Sequence, residues 1–134
     1  MASDEDVTVK VQFSWDTWIE KMQEMAKAFR NLHTSKVLND VRTERVSQDA
    51  KWGIQHHPDG TSEDNKMYAD LAKQRCEAMV RQDALSWRDI LDEEVAEAYA
   101  ETDPVKLRAE LVQVSAVVVA WIEDIDSREE KDNG

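Results

Sequence analysis

Glycine and proline are scarce in this chain, with Gly 3 and Pro 2 in 134 residues. Sheet folds place those residues at their turns and long irregular loops are built from them, so neither is expected as the main architecture. The single cysteine, Cys76, has no partner for an internal disulfide, which points to a reducing compartment. No run approaches the ~20 apolar residues of a membrane span. The acidic opening, residues 1–6, has neither the basic nor the apolar region of a signal peptide. A cytoplasmic protein with no membrane partner is therefore expected. Positive charge is short as well: 17 Lys and Arg against 29 Asp and Glu leave a net charge of -12. Polynucleotide affinity comes mostly from cationic contacts to phosphates, so no polynucleotide partner is expected. A nucleotide arriving as a metal complex stays admissible, because bound cations offset both its phosphates and the protein's carboxylates.

Ala, Glu, Lys, Leu, Met and Gln are plentiful, which is the composition of helices. The expectation is an all-α helical bundle of four to five helices in one domain, residues 13–126, between an N-terminal tail of residues 1–12 and a charged C-terminal tail of residues 127–134, both flexible. Ser14 caps a first helix in which Trp15, Trp18, Ile19, Met22, Met25, Ala26 and Phe29 recur at helical spacing. A second helix is expected over about 35–50, with Val37, Leu38 and Val41 inward. It ends where Gly53, Pro58 and Gly60 break the pattern. Ser62 caps a third helix to about residue 82, and Ser86, with Asp89 three residues on, opens a fourth to about 101. Asp103-Pro104 starts the last helix, expected over 104–126. Its valine-rich stretch scores as a strand on propensity alone, but its length and start signal favour a helix buried all round, at a bundle centre or a subunit interface. Helices this apolar find too little cover in one small domain, so a homodimer or homotetramer is expected.

The chemistry sits in the acidic residues. Glu94, Glu97 and Glu101 fall within about 60° of one another around a helix, and Glu93 flanks Glu97 at the four-residue spacing. Like charges so placed repel unless a cation sits between them. With 29 of 134 residues acidic, such a pattern also arises by chance on a solvated face. Glu110 is the added signal, because it heads an apolar run interrupted only by Gln113 and Ser115. Joined by so short a turn, the last two helices must be antiparallel neighbours, with Glu110 opposite the Glu94 to Glu97 turn. Carboxylates on inward faces are costly unless neutralised, and the hard cations they prefer are Mg²⁺ and Mn²⁺.

Glu93-Glu94-x-x-Glu97 followed by Glu110-x-x-Gln113, preceded by the Gln48 to Thr61 segment with Lys51-Trp52-Gly53 and His56-His57-Pro58-Asp59-Gly60, resembles the MazG-like all-α nucleoside triphosphate pyrophosphohydrolases. Their pattern is E-x-x-E followed by E-x-x-D, and the likeness covers roughly residues 37–125. The resemblance implies Mg²⁺, with Mn²⁺ able to substitute, and hydrolysis of (deoxy)nucleoside triphosphates to a monophosphate and pyrophosphate. It implies Glu94, Glu97 and Glu110 as metal ligands, with Glu93 completing the site or, like Glu97, acting as catalytic base. Gln113 stands at the family's aspartate position; an amide offers Mg²⁺ one oxygen but one negative charge fewer. A purine substrate such as dGTP is the expectation.

The same resemblance places Gln48, Lys51, Trp52, Gln55 and His56 by the substrate, the Trp ring offering a face for a base and the others hydrogen bonds. Without it, Trp52 beside a helix end reads as a core anchor. His56 and His57 lack a cysteine partner and the H-x₃-H spacing, so zinc is not favoured. Lys66, Lys73, Arg75 and Arg81 lie along the third helix at spacings that mix faces; any one can meet a triphosphate, and most read as solvated. Two rivals stand beside the enzyme: a non-catalytic nucleotide-binding regulator, motivated by Gln113, and an acidic helical interaction module with no site.

Overall fold

The structure, a computed structural model, describes residues 14–134; the expected tail of residues 1–12 lies outside them. The fold is all-α: among the described residues are four helices, α1 (Trp15–Trp52), α2 (Lys66–Arg81), α3 (Trp87–Ala100) and α4 (Pro104–Asp132), and a single 3₁₀ turn (Glu63–Asn65). The described residues fall into two compact units, one ending at residue 33 and the other covering residues 34–134. No helix among the described residues is long and apolar enough to cross a membrane.

Two helix limits differ from expectation. The two helices foreseen before residue 50 are one, α1. No glycine or proline stands between Phe29 and Ser35, so nothing interrupts the hydrogen-bond ladder, and a serine or threonine inside a helix bonds back to its preceding turn as Thr43 does to the Asn39 carbonyl (3.0 Å). At the other end α4 continues to Asp132 rather than stopping near 126. The Ser127 hydroxyl donates to the Asp124 carbonyl (2.8 Å) and Arg128 pairs with the Asp124 carboxylate (3.7 Å), which supports the added turns of good helix formers.

Within residues 15–33, Trp15, Trp18, Ile19, Met22, Met25, Phe29 and Leu32 are all exposed. Trp15 and Trp18 meet edge to face, with centroids 5.9 Å apart.

In the second unit, side-chain hydrogen bonds set the helix starts. Ser86 accepts from the Asp89 N–H (3.2 Å) while the Asp89 carboxylate accepts from the Ser86 N–H (3.1 Å), a complete capping box. Asp89 also pairs with Arg75 of α2 (2.8 Å), so one buried carboxylate both caps α3 and ties it to α2. The Ser86 hydrogen bonds, then Arg75, hold its carboxyl down at about 2. Asp103 caps α4 by accepting from the Val105 and Lys106 N–H groups, with Pro104 at the first helical position. Ser62 caps the 3₁₀ turn. Its N–H (2.9 Å) and the Asn65 side-chain amide (3.2 Å) both donate to the Tyr99 carbonyl, fastening the approach to α2 onto the end of α3.

α3 packs on both α2 and α4. The buried apolar residues are mostly small: Val37, Ala69, Cys76, Ala98 and Leu107. Small residues let helix backbones approach closely, and buried Ala69 of α2 also lines the cavity described below. Thr34 of α1 hydrogen-bonds Glu123 of α4, and the Trp87 indole N–H donates to Asp124 (2.9 Å). Leu38 and Val41, expected inward, are exposed, and so are Leu111 and Val112, so α4 is not buried all round within one chain.

Candidate metal centre

The α3–α4 hairpin brings three glutamates together. Glu94 and Glu97 share a face of α3, and the first two turns of α4, set by the Asp103 cap and seated by buried Leu107, carry Glu110 to meet them. One carboxylate oxygen from each of the three lies within 4.8 Å of the others. Two oxygens on one octahedral Mg²⁺ at 2.0–2.1 Å stand at most about 4.2 Å apart, so small side-chain rotations close the three onto one ion.

Two further observations bear on what belongs there. The Glu94 Oε2 and Glu110 Oε2 atoms are buried and have no hydrogen-bond partner. A buried charged oxygen without a donor is unfavourable in any fold that does not supply a cation. The Glu94 carboxyl is pushed up by burial first, then by Glu93 and Glu110. The Glu97 carboxyl is pushed up by burial, then by Glu94, Glu110 and Glu93, with Lys73 acting the other way. The cluster therefore resists full ionisation when bare, which is the behaviour of a ligand set waiting for positive charge.

Glu97 and Glu110 open onto a cavity of about 630 Å³, lined by Glu63, Lys66, Ala69, Asp70, Lys73, Glu97, Ala100, Glu101, Thr102, Lys106 and Glu110. That volume is within the range of small-molecule sites. Its walls are three helices: one face of α2, the end of α3 and the start of α4.

The other sequence candidates are placed differently. Glu93 does not join the three-glutamate cluster; it lines a separate 380 Å³ cavity with Cys76, Glu77, Val80, Leu85 and Ile90. Burial first, and Glu93 second, push the Cys76 thiol up to about 12. Its Sγ donates to the Asp89 carbonyl (3.0 Å), so it is a packed thiol and no nucleophile. Gln113 is exposed. Glu101 lines the metal-side cavity, and its carboxylate accepts from the Asp103 N–H (2.9 Å) across the α3–α4 turn.

Gln48, Trp52 and Gln55 line a third cavity, of about 370 Å³, together with Arg45, Asp49, Gly53, Ile54 and His57. It shares no residue with the glutamate cavity. Gly53 ends α1 with φ +68 and its N–H on the Asp49 carbonyl (2.8 Å), a left-handed cap that glycine adopts without strain. Lys51 sits over the Trp52 ring, 4.8 Å from its centroid. Gln48 is already engaged, accepting from Arg45 (2.7 Å) and donating to Glu44 (3.2 Å). His56 is exposed and not part of the lining.

Sequence reasoning missed Lys106, Asp70 and Glu63 as cavity residues and left Lys66 and Lys73 undistinguished from Arg75 and Arg81. The signal was there in part: Lys66, Ala69, Asp70 and Lys73 fall at three- and four-residue steps, which is one helix face. Comparison with protein-family models, with curated proteins and with solved structures finds no match to this chain.

Proposed function

We propose that this chain is a Mg²⁺-dependent (deoxy)nucleoside triphosphate pyrophosphohydrolase of the MazG-like kind, releasing a nucleoside monophosphate and pyrophosphate, with Mn²⁺ able to replace Mg²⁺. The observation that carries the reading is the convergence of Glu94, Glu97 and Glu110, two of them with orphaned buried oxygens, at the wall of a cavity that also presents lysines. The resemblance noted in the sequence supplies the reaction class.

In this reading Glu94, Glu97 and Glu110 hold the cation. A bound divalent ion supplies charge neutralisation at the phosphate oxygens and acidifies a coordinated water. Glu97 is the base or orienting group for the water, since of the two glutamates considered for that role it alone lines the cavity. The water oxygen attacks the α-phosphorus, the bond to the bridging α–β oxygen breaks, and pyrophosphate leaves with the electron pair. No covalent nucleophile takes part, consistent with the protonated Cys76 thiol. Gln48, Lys51, Trp52, Gln55 and His56 are the proposed nucleotide-reading loop, and a purine such as dGTP is the proposed preference. The exposed apolar residues of α1 and α4 support assembly as a homodimer or homotetramer, and the free thiol of Cys76 supports a reducing compartment such as the cytoplasm.

Pyrophosphate release from the eight common NTPs and dNTPs, in Mg²⁺, in Mn²⁺ and in EDTA, tests the proposal. Release from at least one nucleotide in either metal, and none in EDTA, is the expected result. Silence across the panel from a protein that binds Mg²⁺ supports the regulator instead, a reading that exposed Gln113 favours because it leaves three carboxylates where the family pattern has a fourth ligand.

A further inference from the structure

The glutamate cavity is lined by five carboxylates (Glu63, Asp70, Glu97, Glu101 and Glu110) and three ammonium groups (Lys66, Lys73 and Lys106). Lys66 and Lys73 stand two turns apart on the face of α2 that Ala69 seats against the bundle, and Lys106 stands one turn before Glu110 on α4. The three therefore approach the cavity from two different helices, on the side where Glu97 and Glu110 present their carboxylates. Among the described residues none of the three is held in an ion pair, whereas Arg75 is committed to Asp89 and Arg88 to Asp92. Lys73 is still near enough to Glu97 for its charge to act on that carboxylate.

The charge balance shows what such a cavity accepts. Five negative groups against three positive ones leave the fully ionised lining with two excess negative charges, so it repels a polyphosphate. Glu94 of the cluster adds a third excess negative charge; one divalent ion on the glutamates cuts the excess from three to one, and the ion and the lysines are then the sites of positive charge at the open volume. Lysine is a compact point charge suited to non-bridging phosphate oxygens, and a charge-assisted bond of this kind is among the stronger polar contacts.

We propose that Lys66, Lys73 and Lys106 form a cradle for the two terminal phosphates of the substrate, the part that departs as pyrophosphate, and that the same cradle holds inorganic pyrophosphate when the metal is bound. This rests on the metal reading of Glu94, Glu97 and Glu110. It places the α-phosphate beside Glu97 and the leaving group along α2, and it makes pyrophosphate a product inhibitor.

The test is calorimetric titration of inorganic pyrophosphate into the full chain, in Mg²⁺ and in EDTA, for wild type, each of Lys66→Gln, Lys73→Gln and Lys106→Gln, the triple variant, and Lys73→Arg. The expected result is binding in Mg²⁺ and none in EDTA. Each single substitution weakens it by roughly tenfold and the triple by at least about 100-fold, while Lys73→Arg keeps most of the affinity. All three side chains are exposed, so the variants fold; an unchanged circular dichroism spectrum accompanies the titration. Binding of equal strength in the triple variant overturns the inference, as does tight binding in EDTA or no binding by wild type in Mg²⁺. A parallel Mn²⁺ titration by electron paramagnetic resonance separates the two claims. Normal Mn²⁺ uptake with any of those failures removes the lysine cradle alone, whereas no Mn²⁺ uptake removes the metal reading with it.

Discussion

Mg²⁺ raises the melting temperature of the wild-type chain and leaves the Glu94→Gln, Glu97→Gln, Glu110→Gln triple variant unmoved, while in EDTA the variant melts above the wild type. Both halves follow from the same three carboxylates. Bare, they present two buried oxygens without partners, each unfavourable by about 1–3 kcal/mol, and they repel one another at close range. Neutral amides of the same shape remove the repulsion, so the metal-free variant gains on the order of 1 kcal/mol. The wild type gains from the metal only what binding supplies, about 2.7 kcal/mol at 100 times Kd. Differential scanning calorimetry in both conditions reads the crossing of the two curves.

The pH dependence has a definite sign. The folded-state values of Glu94 and Glu97 are raised above the ordinary 4.5, so the native state holds protons that the unfolded chain has released. Metal-free stability therefore falls as pH rises from about the ordinary glutamate value through the raised ones. Stabilisation by Mg²⁺ grows over the same window, because the ligands must lose those protons to bind it. An acidic module without a site predicts no metal effect at any pH.

Glu97→Gln lowers metal-dependent pyrophosphate release by about 10³-fold, within the range for losing a general base. This residue both faces the other two glutamates and lines the cavity, so the amide removes a ligand charge and the group that directs the water. The loss falls on kcat, with KM changed less, because the lysines and the nucleotide-reading loop are untouched. Glu93→Gln is the informative contrast. Its side chain lines the Cys76 cavity and not the glutamate cavity, so its loss is under about tenfold. A Glu97→Gln chain that turns over normally, or a Glu93→Gln chain that does not, reassigns the base.

Helix starts were legible in the sequence because caps are local chemistry. Ser62, Ser86 with Asp89, and Asp103-Pro104 each announce a helix within four residues. The continuity of α1 was not, since a serine within a helix and a serine at its cap look alike without the backbone, and only the absence of glycine and proline argued for an unbroken rod. Glu94, Glu97 and Glu110 could be paired in advance because a short turn forces α3 and α4 to be neighbours, and distance from the turn sets the register. The lysines could not be sorted that way. Which face of α2 meets the cavity depends on how Ala69 and Cys76 pack against α3, a long-range fact that periodicity does not carry. At Gln113 a motif position suggested a ligand, and three residues past Glu110 the residue is exposed, which the motif alone does not convey.

The most direct test of the metal centre is anomalous diffraction from crystals of the full chain soaked in Mn²⁺. A peak is expected within coordination distance, about 2.2 Å, of carboxylate oxygens from Glu94, Glu97 and Glu110, absent in Glu97→Gln crystals. Ordered Mn²⁺ elsewhere with none among these three glutamates would contradict it.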